Sequence, residues 1–174
     1  MQLISDEYVR LNKQLHEVNK HYGTIGMRHI QDVLVLAKQV DSEDILDYGC
    51  GKSSLARNLP ITIKQYDPAI TKYAALPVPA DIVVCTDVFE HIEPDFLDNV
   101  LTHLKDLTLK AGYFTACTCE AKKTLSDGRN AHLIVQPTEW WIEKVSQYFK
   151  IVHHIEHDKE VVFIVEPLER PTHA

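Results

Sequence analysis

Residues 44–68, D-I-L-D-Y-G-C-G-K-S-S-L-A-R-N-L-P-I-T-I-K-Q-Y-D-P, restrict the fold more than any other stretch of the chain. Ile45-Leu46-Asp47-Tyr48 reads as a short buried strand ending in a carboxylate. Gly49 and Gly51 bracket Cys50 in a tight turn, and Leu55-Ala56-Arg57-Asn58-Leu59 reads as helix. A second strand, Ile61 to Tyr66, ends in another carboxylate, Asp67. Strand, glycine turn, helix and acid-tipped strand make the opening βαβ unit of a nucleoside-binding sheet. The glycines let the backbone approach a ligand, and the start of the helix offers N–H groups to an anion. Asp67 lies where a carboxylate can accept both hydroxyls of a ribose.

These residues resemble the first motif of the class I S-adenosylmethionine-dependent methyltransferases, an acidic residue followed by G-x-G. Here it reads Asp47-Tyr48-Gly49-Cys50-Gly51-Lys52-Ser53, with Ser53 where a third glycine is common. The family's second acid matches Asp67, followed by Pro68. The resemblance implies S-adenosylmethionine as cofactor, with Asp47 at the methionine ammonium, the Gly49–Gly51 loop at its carboxylate and Asp67 at the ribose. It also implies an α/β, Rossmann-like sheet closed by an antiparallel hairpin.

Only thirteen residues, Pro68 to Ala80, separate Asp67 from the next strand, Asp81 to Thr86. A crossover with its own helix and strand needs more chain than that, and Pro77 and Pro79 oppose regular structure. The family's third strand is therefore expected to be shortened or missing, with Ala75-Leu76-Pro77 as an apolar wall for adenine. This compact layout resembles a branch of small stand-alone proteins, several of them phage- or prophage-borne.

The strand 81–86 runs into Asp87-Val88-Phe89-Glu90-His91-Ile92-Glu93-Pro94. D-V-x-E-H-I at this place is frequent in small-molecule methyltransferases, and the resemblance puts Thr86 and Asp87 beside the cofactor. Asp87 and Glu90 set negative charge where such a cofactor is positive. Pro94 suits the first turn of a helix with Leu97, Val100, Leu101, Leu104 and Leu107 as its core face. Lys110-Ala111-Gly112-Tyr113 reads as a turn into a strand from Phe114 to Cys119. The polar stretch 120–130 follows, and related enzymes often place a histidine just after it, ahead of a Pro-initiated helix. His132 is accordingly the first choice for a general base, with His91 and Glu90 as further catalytic candidates. Arg129 and Asn130 are candidate anchors for the acceptor. Trp140 and Trp141 are adjacent and cannot share one helix face. One is expected in the core, the other, Trp140 as the candidate, at the substrate mouth.

Ahead of the motif, residues 3–20 and 27–40 carry helical apolar patterns separated by His21-Tyr22-Gly23-Thr24-Ile25-Gly26. The resemblance makes these helices a lid, with Tyr22 covering the methionine end of the cofactor. The expected organisation is one domain over 1–174, with N-terminal helices and lid to residue 43, a core over 44–167 and a tail from 168.

Charge narrows the function classes. Twenty-five Asp and Glu against 18 Lys and Arg argue against a protein that grips a nucleic-acid backbone by charge. After the strand the chain reads Thr86-Asp87-Val88-Phe89, not the D/N-P-P-aromatic of DNA amino-group methylation, and no Pro-Cys dipeptide offers a cytosine-C5 thiol. No apolar run approaches the roughly 20 residues of a membrane helix, and the N-terminus lacks a signal peptide's basic start. Cys50, Cys85, Cys117 and Cys119 contain no C-x-x-C and no histidine at zinc spacing, so no metal and a reducing cytoplasm are expected. The leading expectation is O- or N-methylation of a small, medium or nucleotide-type acceptor. The alternative is a catalytically inactive, cofactor-binding adaptor or subunit. A nicotinamide oxidoreductase is a third reading, weakened by the misplaced Asp47.

Overall fold

The structure, a computed structural model, describes residues 1–19 and 25–168. Six strands form one sheet in the order β2-β1-β3-β4-β6-β5. They are β1 (Ile45–Tyr48), β2 (Lys64–Tyr66), β3 (Ala80–Cys85), β4 (Thr108–Cys117), β5 (Phe149–Glu156) and β6 (Glu160–Pro167). β2, β1, β3 and β4 run parallel, whereas β6 lies antiparallel between β4 and β5. The helices are α1 (Asp6–Val18), α2 (Ile30–Val40), α3 (Ser54–Asn58), α4 (Leu97–Leu107) and α5 (Thr138–Ser146).

Strand alternation distributes the core over two faces. From β3, Val83 and Cys85 join Leu101, Leu104, Trp141 and Val145 of α4 and α5. Ile82 and Val84 point the other way, onto Val33 and Leu36 of α2 and Leu55 of α3. A third, smaller cluster seats α1: Tyr8, Leu11 and Leu15 pack on Leu125 and Ala131. Ser5 caps α1 through the backbone N–H of Tyr8, and Lys52 Nζ donates to the carbonyl of Asn19 at its other end (2.6 Å).

The expected architecture is present, including the closing hairpin and the missing strand. β2 is the sheet edge, and between Asp67 and Ala80 the only regular element is a 3-10 turn at Thr71–Tyr73. Two local expectations fail. Lys110–Tyr113 is not a turn but lies inside β4, because Gly112 fits there only by lacking a side chain: a Cβ would stand 2.5 Å from Phe114 and 2.7 Å from Val165. Ala75–Pro77 lines neither hollow at the strand ends, and Leu76 is 75 % exposed. Among the described residues no helix is long and apolar enough to cross a membrane, and no disulfide joins the four cysteines.

Candidate functional site

The chain reverses its direction of growth at β1, from which β2 lies on one side and β3 on the other. In open α/β sheets the crevice beyond the carboxyl ends of such strands is where ligands bind. Asp47 at the end of β1, Asp67 just beyond β2 and Asp87 just beyond β3 all reach this crevice.

The glycine turn is held by the strand beside it. The N–H groups of Gly49 and Cys50 both donate to the carbonyl of Tyr66 (2.7 and 3.0 Å), and Gly51 N–H donates to Asp67 Oδ2 (3.0 Å). These three donors are therefore committed within the protein rather than offered to an anion. Gly49 has φ +78°, and a Cβ there would come within 2.3 Å of Val88. Ser53, in place of a third glycine, still adopts the left-handed conformation (φ 60°) and donates its hydroxyl to Tyr73 (2.7 Å). Asp67 also accepts from Ala69 N–H (2.9 Å), which fixes the carboxylate and leaves further lone pairs for a diol.

Asp47 is 4 % exposed. Burial, and after it the charge of Asp67, push its carboxyl up to about 7. A buried carboxylate facing a second one favours a cationic ligand.

The chain leaves β3 through a strained corner. Asp87 has φ 58°, uncommon for a residue with a side chain, and its N–H donates to Thr115 Oγ1 (3.0 Å). The 3-10 turn Phe89–His91 follows and is anchored by Phe89, fully buried against Trp141 (5.9 Å, stacked) and Phe114 (5.6 Å). This corner brings Asp87, Glu90 and His91 together. The loop after β4 is clamped to it: Ile134 N–H donates to Glu90 O (3.0 Å), and His91 Nδ1 bonds Ala131 O (2.7 Å). Asn130 shapes that loop, accepting from Ala121 and His132 N–H (3.0 and 2.9 Å) and donating to Ala121 O (2.9 Å). The result sets the His132 ring edge-on to that of His91, with centroids 4.8 Å apart, and its Nδ1 against Cys119 O (2.5 Å).

Burial pushes Asp87 up to about 6, with His132 opposing the shift, and pushes Glu90 up to about 8, raised further by the charge of Asp87. Burial, with His132 close by, pulls His91 down to about 3, so His91 is neutral and unsuited to take up a proton at neutral pH.

Beside Asp67 the crevice encloses a hollow of about 100 Å³, lined among others by Tyr48, Gly49, Gly51, Pro68, Asp87 and His91. Cys50 and Thr86 line a smaller pocket of about 20 Å³ with Asp47, Gly49 and Asp87. Ordinary small-molecule sites measure roughly 300–1,000 Å³. The difference is α1, whose Tyr8, Asn12 and His16 form the hollow's roof. Ser5 ties α1 down through Glu93, with its N–H at 2.8 Å and its hydroxyl at 2.7 Å.

The structure thus brings together nine of the ten expected cofactor residues and all three catalytic candidates; the tenth, Tyr22, lies outside the described residues. Asn130 is spent on shaping the loop rather than facing a ligand. Arg129 is exposed and paired with Asp127 (2.7 Å). Trp141 is the core residue of its pair, while Trp140 lines a separate surface hollow with Pro94 and Leu133, away from the crevice. The roof residues of α1 escaped the sequence reading, although Tyr8, Asn12 and His16 recur at the i, i+4, i+8 spacing of one helix face.

No family model matches the sequence, and no curated protein matches it significantly. Solved structures do match the fold. A 1,6-didemethyltoxoflavin N1-methyltransferase from Burkholderia thailandensis, with its acceptor and S-adenosylhomocysteine bound, superposes with TM-score 0.64 at 14 % identity, over 97 % of this chain and 93 % of that one. DhpI in complex with S-adenosylhomocysteine gives 0.59 at 12 % identity, over 95 % and 100 %. Magnesium protoporphyrin IX methyltransferase from Synechocystis PCC 6803 gives 0.56 at 16 % identity, over 83 % and 84 %. With its switch-point crevice, three strand-tip carboxylates and antiparallel hairpin, the chain has the class I S-adenosylmethionine-dependent methyltransferase fold.

Proposed function

We propose that the protein binds S-adenosylmethionine in the β1–β3 crevice and transfers its methyl group to a small or medium acceptor. The observation that carries this reading is the convergence of Asp47, Asp67 and Asp87 on one crevice around a glycine that tolerates no Cβ. When bound, S-adenosylmethionine supplies a methyl group that leaves with cleavage of its bond to sulfur, the electron pair staying on sulfur.

Asp47 holds the methionine ammonium, which offsets the cost of its burial, and Asp67 accepts the ribose hydroxyls. Thr86 and Asp87 line the end of the crevice nearest the sulfonium, whose positive charge Asp87 balances. Helix α1 closes over the site and excludes water, so it must lift to admit a nucleoside. An oxygen or nitrogen acceptor loses a proton as its bond to the methyl carbon forms. His132 is the group placed to receive it, since Nδ1–H to Cys119 O fixes the lone pair on Nε2. Asn130 acts as a positioning residue for His132. Arg129, by exchanging Asp127 for an anionic acceptor, would anchor the far end of that molecule. Such an enzyme works in a reducing cytoplasm.

Isothermal titration with S-adenosylhomocysteine, S-adenosylmethionine and NAD tests the first step. Binding of both adenosyl ligands below about 1 mM, without NAD, is expected; binding of neither discards the proposal. One observation favours the adaptor reading: a basin of about 1,120 Å³ lies beside edge strand β2, lined by residues including Lys52, Ile63 and Tyr73. Cofactor binding with methyl transfer only when a partner is added would select it.

A further inference from the structure

Four side chains at the β3 corner converge more closely than methyl transfer alone requires. One ligand atom each from Asp87, Glu90, His91 and His132 lies within 4.8 Å of every other. We propose that these four residues form a binding site for a first-row divalent cation such as Mn²⁺.

Three observations carry the site. First, Glu90 is 1 % exposed, and its Oε2 has no hydrogen-bond partner among the described residues. A buried carboxylate oxygen without a donor is costly, and a cation in the cluster removes that cost. Second, both imidazoles have Nδ1 against a backbone carbonyl, His91 on Ala131 and His132 on Cys119. A carbonyl accepts only from N–H, so the proton sits on Nδ1 and the lone pair on Nε2. This second-shell arrangement, in which one ring nitrogen donates to the backbone, is the one that orients metal-ligating histidines. Third, the residues come from two segments locked together by the Ile134–Glu90 backbone bond, so the cluster is built before any ligand arrives.

The donor set selects the cation. Two carboxylates suit Mg²⁺, Ca²⁺ and Mn²⁺, while two imidazoles favour Mn²⁺, Fe²⁺ and Zn²⁺ over the all-oxygen ions. Ligands at about 2.1 Å from one centre are at most about 4.2 Å apart, so the cluster need contract by only a few tenths of an ångström. Asp87, His91 and His132 are all partly exposed, which leaves room for that contraction around the buried Glu90. Asp87 and His91 also line the hollow, so the cation would face the acceptor.

The site's use rests on the methyltransferase reading, although its existence does not. Within that reading the acceptor would be an oxygen compound whose hydroxyl, on the cation, would give up its proton to solvent more readily and take the methyl group as the carbon–sulfur bond breaks. His132 is then a ligand rather than a base.

Mn²⁺ is the probe of choice. Zn²⁺ would also bind the thiols of Cys117 and Cys119, whose Sγ atoms are 3.6 Å apart, whereas Mn²⁺ prefers oxygen and imidazole. The quenching of the free Mn²⁺ electron paramagnetic resonance signal should show one ion per chain, with at least tenfold weaker binding in His132→Ala and in Glu90→Gln. S-adenosylhomocysteine titrated into the same samples should bind the variants as it binds the wild type. No Mn²⁺ binding below about 1 mM, or equal binding in a folded His132→Ala variant, overturns the site. Loss of methyl transfer in that variant with unchanged Mn²⁺ affinity would make His132 a base only, again overturning it. Failure of S-adenosylhomocysteine to bind would strike the cofactor reading and leave the cation site standing.

Discussion

Asp47→Asn isolates the charge at the centre of the crevice. The wild-type carboxyl is 4 % exposed and is pushed up to about 7 by burial and then by Asp67. In the unfolded chain such a group titrates near about 4. The folded protein therefore holds this proton more tightly than the unfolded chain does. That contribution to stability is full below about pH 4, is lost as pH rises towards 7, and is level above. At about 1.4 kcal/mol per pH unit, keeping Asp47 ionised at pH 8 costs the fold on the order of 4 kcal/mol. Asparagine keeps the shape and removes the charge, but its buried amide costs about 1–3 kcal/mol. The variant should gain about 1–3 kcal/mol at pH 8 and lose that gain at pH 5. For S-adenosylhomocysteine the sign reverses. Losing a charge-assisted hydrogen bond of about 1.5–3 kcal/mol weakens binding roughly 10- to 150-fold at pH 8. Wild-type affinity should fall up to about tenfold per unit below pH 7, as the proton competes with the ligand's ammonium, while the variant stays flat. Urea denaturation and isothermal titration at pH 5 and pH 8 give both numbers. A variant equally destabilised at the two pH values, or one that binds the ligand as tightly as wild type, would refute the reasoning.

The remaining predictions concern the parts around that charge. Gly49→Ala should destabilise the protein by more than about 1 kcal/mol, because its Cβ meets Val88 at 2.3 Å and φ is +78°; thermal melts read this, and added Val88→Ala should restore part of the loss. Glu93→Ala removes both bonds to Ser5, so α1 should lift more readily, raising the on-rate and off-rate of S-adenosylhomocysteine in stopped flow. Phe89→Ala should cost about 3–5 kcal/mol in urea melts, since the ring fills the space between Trp141 and Phe114. Asn130→Ala should lower kcat while leaving S-adenosylhomocysteine affinity unchanged, because the residue shapes the loop carrying His132 and does not reach the nucleoside.

What the sequence revealed depended on the range of the interaction involved. Ile45–Asp67 was readable because strand, turn and helix there are each dictated by neighbouring residues, and the short interval to Ala80 excluded a further strand by length alone. The order of α1, the glycine turn and β3 in space was not readable, since it depends on contacts such as Ser5 to Glu93, 88 residues apart. The same limit explains the four-residue cluster. Asp87, Glu90 and His91 are local to one turn, yet His132 joins them only through the carbonyls of Ala131 and Cys119 and the clamp made by Asn130. A cysteine count, the basis for expecting no metal, contains none of these residues. Gly112 misled for the opposite reason: a glycine after Lys110-Ala111 suggests a turn, whereas here it answers the crowding of Phe114 and Val165.

The most direct test is a crystal structure with S-adenosylhomocysteine. The account predicts the amino group on Asp47, the ribose hydroxyls on Asp67, the sulfur beside Thr86 and Asp87, and α1 displaced outward to make room. A ligand seated instead in the basin beside β2, or contacting none of the three aspartates, would contradict it.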